Sequence, residues 1–163
     1  MQKNVFWRRV LAVGLVAWMG FIFVMSSFPA GVSSQQSGVV VEVVEKVFRV
    51  DSAARPEVVG NLTEIVRKSA HAFEYLVLGV LMVSVMRVIL ARKVGARNAW
   101  WMAIVACMVF AISDEIHQIF VSGRACELRD VVNDTMAASI GVGIAMAIKS
   151  VWGRWRRRAG REG

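Results

Sequence analysis

Four stretches of this chain, at about residues 9–28, 69–90, 100–121 and 130–152, are long and apolar enough to cross the hydrocarbon core of a bilayer, which takes roughly 20 residues of helix. No other feature limits the fold so strongly. Lipid offers no hydrogen bonds to backbone N–H and C=O groups, so such stretches cross it as helices that satisfy their own backbone. Hydrophobic residues make up 56% of the sequence and the mean hydropathy is +0.53, well on the apolar side of a soluble domain. The expected fold is all-α, a four-helix transmembrane bundle. Residues 1–152 form a single integral membrane domain and residues 153–163 a basic tail.

The first apolar run follows Lys3, Arg8 and Arg9 and ends in Ser-Ser-Phe-Pro-Ala. It lacks a small-x-small cleavage site, so it reads as a retained span rather than a signal peptide. Pro29 to Gly38, rich in Ser, Gln and Gly, reads as a polar linker. Val39 to Val50 then places Glu42, Glu45, Lys46 and Arg49 on one stripe of an otherwise apolar segment. Too short to span, that segment suits a short amphipathic helix lying in the interface between spans 1 and 2; a connector packed on the bundle is the other reading. Pro56 suits the first turn of a further helix that carries Glu57, Asn61, Glu64 and Lys68 on one face and runs on into the second span.

The charges orient the bundle. With the N-terminus inside, the inner segments hold Lys3, Arg8, Arg9, Arg87, Arg92, Lys93, Arg97, Lys149, Arg154, Arg156, Arg157, Arg158 and Arg161, against Glu162 as their one acid. Lys46, Arg49, Arg55, Arg67, Lys68, Arg124, Arg129 and the remaining acids fall on the outer side. Such a distribution satisfies the positive-inside rule at each loop, with both termini cytoplasmic. The net charge of +8 is then accounted for by orientation and anionic lipid, and no nucleic-acid partner is implied. Cys107 lies in an apolar span and Cys126 in a polar loop; their different depths predict no internal disulfide.

What these spans carry is costly. An acidic or basic side chain at a bilayer centre costs about 2.5–3.5 kcal/mol on the most lenient scale. Yet His71, Glu74 and Tyr75 lie in the first turns of the second span, Asp114, Glu115, His117 and Gln118 in the last turns of the third, and Asp130 and Asp134 in the first turns of the fourth. Antiparallel packing brings all three sets to one outer slab. At about 100° per residue, His71, Glu74, Tyr75 and Leu78 share a face with Lys68; Asp114, Glu115 and Gln118 share another, from which His117 is turned away as a helix-surface residue. Asp130 and Asp134 lie in line with Ala137 and Gly141, a small-residue surface that lets helices approach closely. The three faces are expected to meet, with Lys68, Arg124 and Arg129 as counter-charges.

RKSAHAFEYLVLG (67–79), SDEIHQIFVSGR (113–124) and ELRDVVNDTMAASIG (127–141), preceded by SSFPAGVSSQQSG (26–38), resemble the VanZ-like family of bacterial membrane proteins. The resemblance covers about Phe23 to Gly143. Its pattern falls on Lys68, His71, Glu74, Tyr75, Asp114, Glu115, Gln118, Arg124, Asp130 and Asp134, the candidate ligand-binding residues; Ser122 stands where the family often has Pro and Ala137 where it often has Gly. The family is named for resistance to teicoplanin, a glycopeptide that targets lipid-linked cell-wall precursors. The resemblance therefore implies a multi-pass protein of the bacterial cytoplasmic membrane acting in the cell envelope.

Three roles stay open. Lys68 and Arg124 would hold the phosphate, pyrophosphate or carboxylate of a lipid-linked or anionic envelope component by charge-assisted bonds. Alternatively, His71, Glu74, Asp114 and Glu115 are candidates for general acid–base catalysis, or, with Asp130 and Asp134, for oxygen and imidazole ligation of a divalent metal such as Mg, Mn or Zn. The third role is structural, with the polar cluster locking helix register. Nothing in the sequence specifies a cofactor.

Overall fold

The computed structural model describes residues 2–48, 56–124 and 126–159. The described chain is helical throughout its regular structure: α1 (Gln2–Ser26), α2 (Ala30–Phe48), α3 (Pro56–Val94), α4 (Ala96–Gln118) and α5 (Leu128–Ala159). Within α1, α3, α4 and α5 lie four stretches long and apolar enough to span a membrane, Val5–Ser26, Gly60–Leu90, Asn98–Gln118 and Leu128–Arg158. The protein is thus an all-α membrane protein with four spans, as its hydropathy predicts.

The distribution of side chains is that of a bundle solvated by lipid. Along α5, Val131, Asp134, Ala137, Ala138, Gly141 and Val142 are buried, while Val132, Met136, Ile140, Ile144, Ile148 and Val151 face outward. Similarly, α4 buries Ala99, Ala103, Cys107, Ala111 and Asp114 and exposes Trp101, Val105, Met108, Val109 and Ile112. The large apolar residues point out and the small and polar ones point in, which suits a lipid surround and close helix contact. Cys107 is buried in this interior, Cys126 is exposed in the α4–α5 loop, and both are free.

Helix α3 is the axis of the bundle and packs against each of the other four helices. It ends one residue before Gly95, whose positive φ of 80° reverses the chain directly into α4; that left-handed backbone is cheap for glycine alone. At the other end of α4, the turn from Ile119 to Arg124 is held by short-range bonds, among them Val121 N–H to Gln118 O at 3.0 Å and Arg124 N–H to Val121 O at 3.1 Å. The helix therefore stops at Gln118, short of the expected residue 121. Trp18 of α1 donates its indole N–H to the Glu74 carbonyl of α3 at 3.0 Å.

The reading of Pro29–Gly38 as a linker is corrected. The helix expected from Val39 begins at Ala30, and Pro29 opens it: the Pro29 carbonyl accepts from Ser33 N–H at 3.0 Å. Its Ser and Gln residues are compatible with a helix because another element supplies the missing end contacts. Ala30 N–H donates to the Ser122 carbonyl at 3.3 Å, tying the α1–α2 turn to the α4–α5 loop. Residues 49 and 50 of the expected amphipathic stretch lie outside the described residues. Helix α2 packs on α3.

The closest approach is between α3 and α5. A Cβ at Gly79 would collide with the Ala138 carbonyl oxygen, and one at Gly141 with that of Leu76. The small-residue surface expected around Ala137 and Gly141 is this contact. Replacing Gly79 or Gly141 by Ala forces the helices apart and is expected to cost about 1–3 kcal/mol each, read as a lower unfolding temperature in detergent. Gly143→Ala is the internal control: its Cβ meets nothing within 4 Å, and the gain in helix propensity should leave stability unchanged or slightly raised.

Candidate functional site

The polar groups of α3, α4 and α5 meet at the end of the bundle that carries the α1–α2 turn and the α4–α5 loop. They surround a cavity of about 200 Å³. Lys68, His71, Glu74, Glu115, Gln118, Arg124, Asp130 and Asp134 line it, joined by Arg67, Asn133, Met25 and Ser33. Tyr75 and Asp114, expected beside them, lie behind the wall: both are buried. Asp114 supports the residues in front of it, and the Tyr75 ring lies edge-on to the His71 ring at 5.3 Å.

Asp114 is the node of the site. Its Oδ2 accepts from Ser26 Oγ of α1 at 2.8 Å and from Gln118 Nε2 one turn along α4 at 3.2 Å. A carboxylate with such donors is a stable buried group. Gln118 passes the order outward: its Oε1 accepts from Arg124 Nη1 at 3.2 Å, while Arg124 Nε donates to the Phe28 carbonyl at 3.2 Å. The amide is oriented by this relay, since its NH₂ must face the carboxylate and its oxygen the guanidinium.

His71 sits on the cavity wall among three acids. Its Nδ1 lies 3.1 Å from Glu74 Oε2, and its Nε2 lies 3.5 Å from one oxygen each of Asp114 and Asp134. The last two separations exceed a good hydrogen bond, and Nε2 has no hydrogen-bond partner; neither do the buried Asp114 Oδ1 and Tyr75 hydroxyl. Carboxylates only accept, so His71 has acceptors on both sides, and the cluster must hold at least one proton to satisfy them. Glu115 is used differently, its Oε2 accepting the Glu127 backbone N–H at 3.0 Å, which fixes the start of α5 to the end of α4.

The cations lie at the rim. Lys68 pairs with Glu64 at 2.8 Å, with the pair largely open to solvent, so its charge is already shared. Arg67 and Arg124 line both this cavity and a neighbouring one of about 310 Å³. Among the described residues, neither arginine has a carboxylate within ion-pairing distance. Burial, and then the charge of Arg67, push the Arg124 guanidinium below its ordinary pKa, against the pull of Asp114, Glu115 and Glu74. Arg129, expected as a counter-charge, is exposed on the first turn of α5 and is no part of the wall.

Two residues with a clear place in the site were not among the expected ones. Arg67 precedes His71 by one helical turn, so the face that carries His71 and Glu74 also carries it. Ser26 belongs to the first span, which the acid-bearing helices do not point to; its Ser-Ser-x-Pro surroundings were the available signal. His117 is half-buried, stacked on Phe23 at 4.0 Å and 3.0 Å from Ser27 Oγ, off the polar cluster. No group of three or more His, Cys, Asp or Glu side chains among the described residues is arranged to hold a metal ion. Ser26→Ala removes a donor from a buried carboxylate and is expected to cost about 1–3 kcal/mol, measured as a loss of thermal stability in detergent. Ser113→Ala, whose exposed hydroxyl bonds only its own helix at Phe110, should stay within about 0.5 kcal/mol of wild type.

The family model described as VanZ/LLP1 matches residues 11–149. No curated protein and no solved structure matches the chain. The family match covers part of every described helix and contains every residue of the cavity. On the extent of that match the chain belongs to the VanZ/LLP1 family.

Proposed function

We propose that this membrane protein binds the anionic headgroup of a lipid-linked envelope component, through phosphate, pyrophosphate or carboxylate oxygens, in the cavity among α3, α4 and α5. The observation that carries this reading is the pair Arg67 and Arg124. Two guanidinium groups share one cavity, repel each other and lack carboxylate partners among the described residues. An arrangement built only to lock helix register would pair them. An oxyanion relieves the repulsion and accepts their N–H groups in bidentate geometry. Arg124 is already held in place by Gln118 and Phe28, so little ordering is lost when a ligand arrives. His71 lines the same cavity, and the apolar outer face of α5 at Val132 and Met136 is suited to a hydrocarbon tail.

The excess of Lys and Arg on the segments opposite the cavity supports an orientation with both termini cytoplasmic in the bacterial inner membrane. The cavity then opens to the outside, where lipid-linked cell-wall precursors are used. On this reading the protein contributes to teicoplanin-type resistance by holding such a component. A second reading, acid–base catalysis on the same substrate, rests on one feature: His71 lies on the wall between Glu74 and the pair Asp114 and Asp134, where a proton can be passed to or from a bound group.

Binding is tested with a soluble prenyl diphosphate by calorimetry on protein in detergent. Each charge-assisted bond is worth roughly 1.5–3 kcal/mol, so Arg67→Gln and Arg124→Gln should each weaken binding about tenfold or more, while Arg129→Gln leaves it unchanged. Equal binding by all four proteins removes the proposal. Catalysis is separated from binding by His71→Gln: retained binding with loss of product formation from the same probe favours the second reading, and no product from wild type removes it. Orientation is read from the two cysteines. A membrane-impermeant maleimide applied to spheroplasts should label Cys126 from outside and fail on Cys126→Ser, since Cys107 is buried; labelling only after lysis would invert the topology.

A further inference from the structure

The end of the bundle opposite the cavity has its own charge pattern. From Tyr75 to Ser113, and from Thr135 to Arg161, the sequence contains no acidic residue. Three cations from this region, Arg87 of α3 and Lys149 and Arg157 of α5, line a cavity of about 630 Å³. Arg87 and Lys149 also line an adjoining cavity of about 200 Å³, so the two chambers share them.

We infer that this cavity is an anionic-phospholipid site, with the lipid phosphate seated on Arg87, Lys149 and Arg157. The argument is one of donors and acceptors. Arg87, Lys149, Arg157 and Trp100 are donor-only side chains, and the remaining polar side chain on the wall is the hydroxyl of Ser150. The Trp100 indole N–H is buried and has no acceptor. The Arg87 guanidinium lies over the Trp100 ring at 6.0 Å from its centroid, so the cation and the unsatisfied N–H belong to one contact. A cavity with three cations and no carboxylate on its wall calls for an acceptor-rich, negatively charged occupant.

Space and surroundings identify the class. Gly143, on the wall, leaves open room where a side chain would project. The Arg157 guanidinium folds back along α5 to within 3.7 Å of the Cβ that Gly153 lacks, which keeps its charge at the cavity mouth. Beside the cavity, Val88 and Ile89 of α3 and Ile148 and Val151 of α5 expose apolar surface. A lipid phosphate in the cavity would lay its acyl chains along these faces, whereas inorganic phosphate gains nothing from them. Basic pockets between spans on the positively charged side of a membrane protein take acidic headgroups for the same reason.

The test is native mass spectrometry of the full-length protein, delipidated in detergent and titrated with phosphatidylglycerol or phosphatidylcholine. Wild type should retain phosphatidylglycerol at least tenfold more tightly than phosphatidylcholine. The double variant Arg87→Gln/Lys149→Gln should lose that preference, and Arg157→Gln alone, at the exposed mouth, should reduce it several-fold without disturbing the packed core. Arg129→Gln, at the other end and on the wall of neither cavity, should keep it. Equal retention of the two lipids by wild type, or an unchanged preference in both the double variant and Arg157→Gln, would overturn the assignment. So would displacement of the lipid by low millimolar inorganic phosphate, which would mark the site as one for a soluble anion.

Discussion

The Asp114 carboxylate is where the four spans meet. Ser26 reaches it from α1 and Gln118 from α4; His71 approaches from α3 and stands between it and Asp134 of α5. Removing water makes an unsatisfied carboxylate intolerable, so every helix that borders this position has to present a donor or a shared proton to it. That demand sets the rotation of α1, α3 and α4 about their own axes more strictly than the apolar surface does, because lipid and an apolar helix face are nearly equivalent surroundings. The tight contact of Gly79 and Gly141 then brings α3 and α5 close enough for His71 to approach Asp134.

Charge is separated along the bundle. Glu64, Glu74, Asp114, Glu115, Glu127, Asp130 and Asp134 lie at the end with the cavity, while Arg87, Lys149 and Arg157 gather at the other end. In the middle, Tyr75, Leu78, Met82, Val83 and Cys107 fill the interior without a charge. The same segregation that supports an orientation across the membrane leaves each end with excess charge in a concave setting. At the acid-bearing end the excess is concealed, because the acids take the inner positions and the arginines are left at the rim. At the basic end there is nothing to conceal it.

Much of this was legible in the sequence, for reasons that differ by residue. Span number and helical class follow from apolar length alone, and the shared face of Asp114, Glu115 and Gln118 follows from helical phase. The exclusion of His117 has the same origin. What escaped were contributions that depend on a partner remote in sequence. Ser26 carries no charge and becomes a site residue only because Asp114 is opposite. The polar stretch from Ala30 looks like a linker until the Ser122 carbonyl receives its first N–H. Lys68 and Arg67 are neighbours of like charge; helical phase already sets Lys68 beside Glu64, and only the fold shows that Arg67 also lines the cavity, with no carboxylate partner among the described residues. Tyr75, in phase with His71 and Glu74, was expected on the wall and lies behind it, since a face of about 100° is wider than the mouth of a small cavity.

The contrast between the inner acids and the outer arginines bears on how a rigid network and a binding site coexist. Asp114, Gln118 and Arg124 form one continuous relay from the core to the rim, and each member has partners without a ligand. Arg67 does not belong to that relay, and neither does the Nε2 atom of His71. A structure needs the first set to fold; the second set adds repulsion and an unsatisfied donor or acceptor, both of which cost stability. Residues that cost stability where an apolar or paired group would serve are the ones whose presence a function explains. By that reasoning the relay is the frame, and Arg67 is the residue that the proposed binding role, rather than the packing, accounts for.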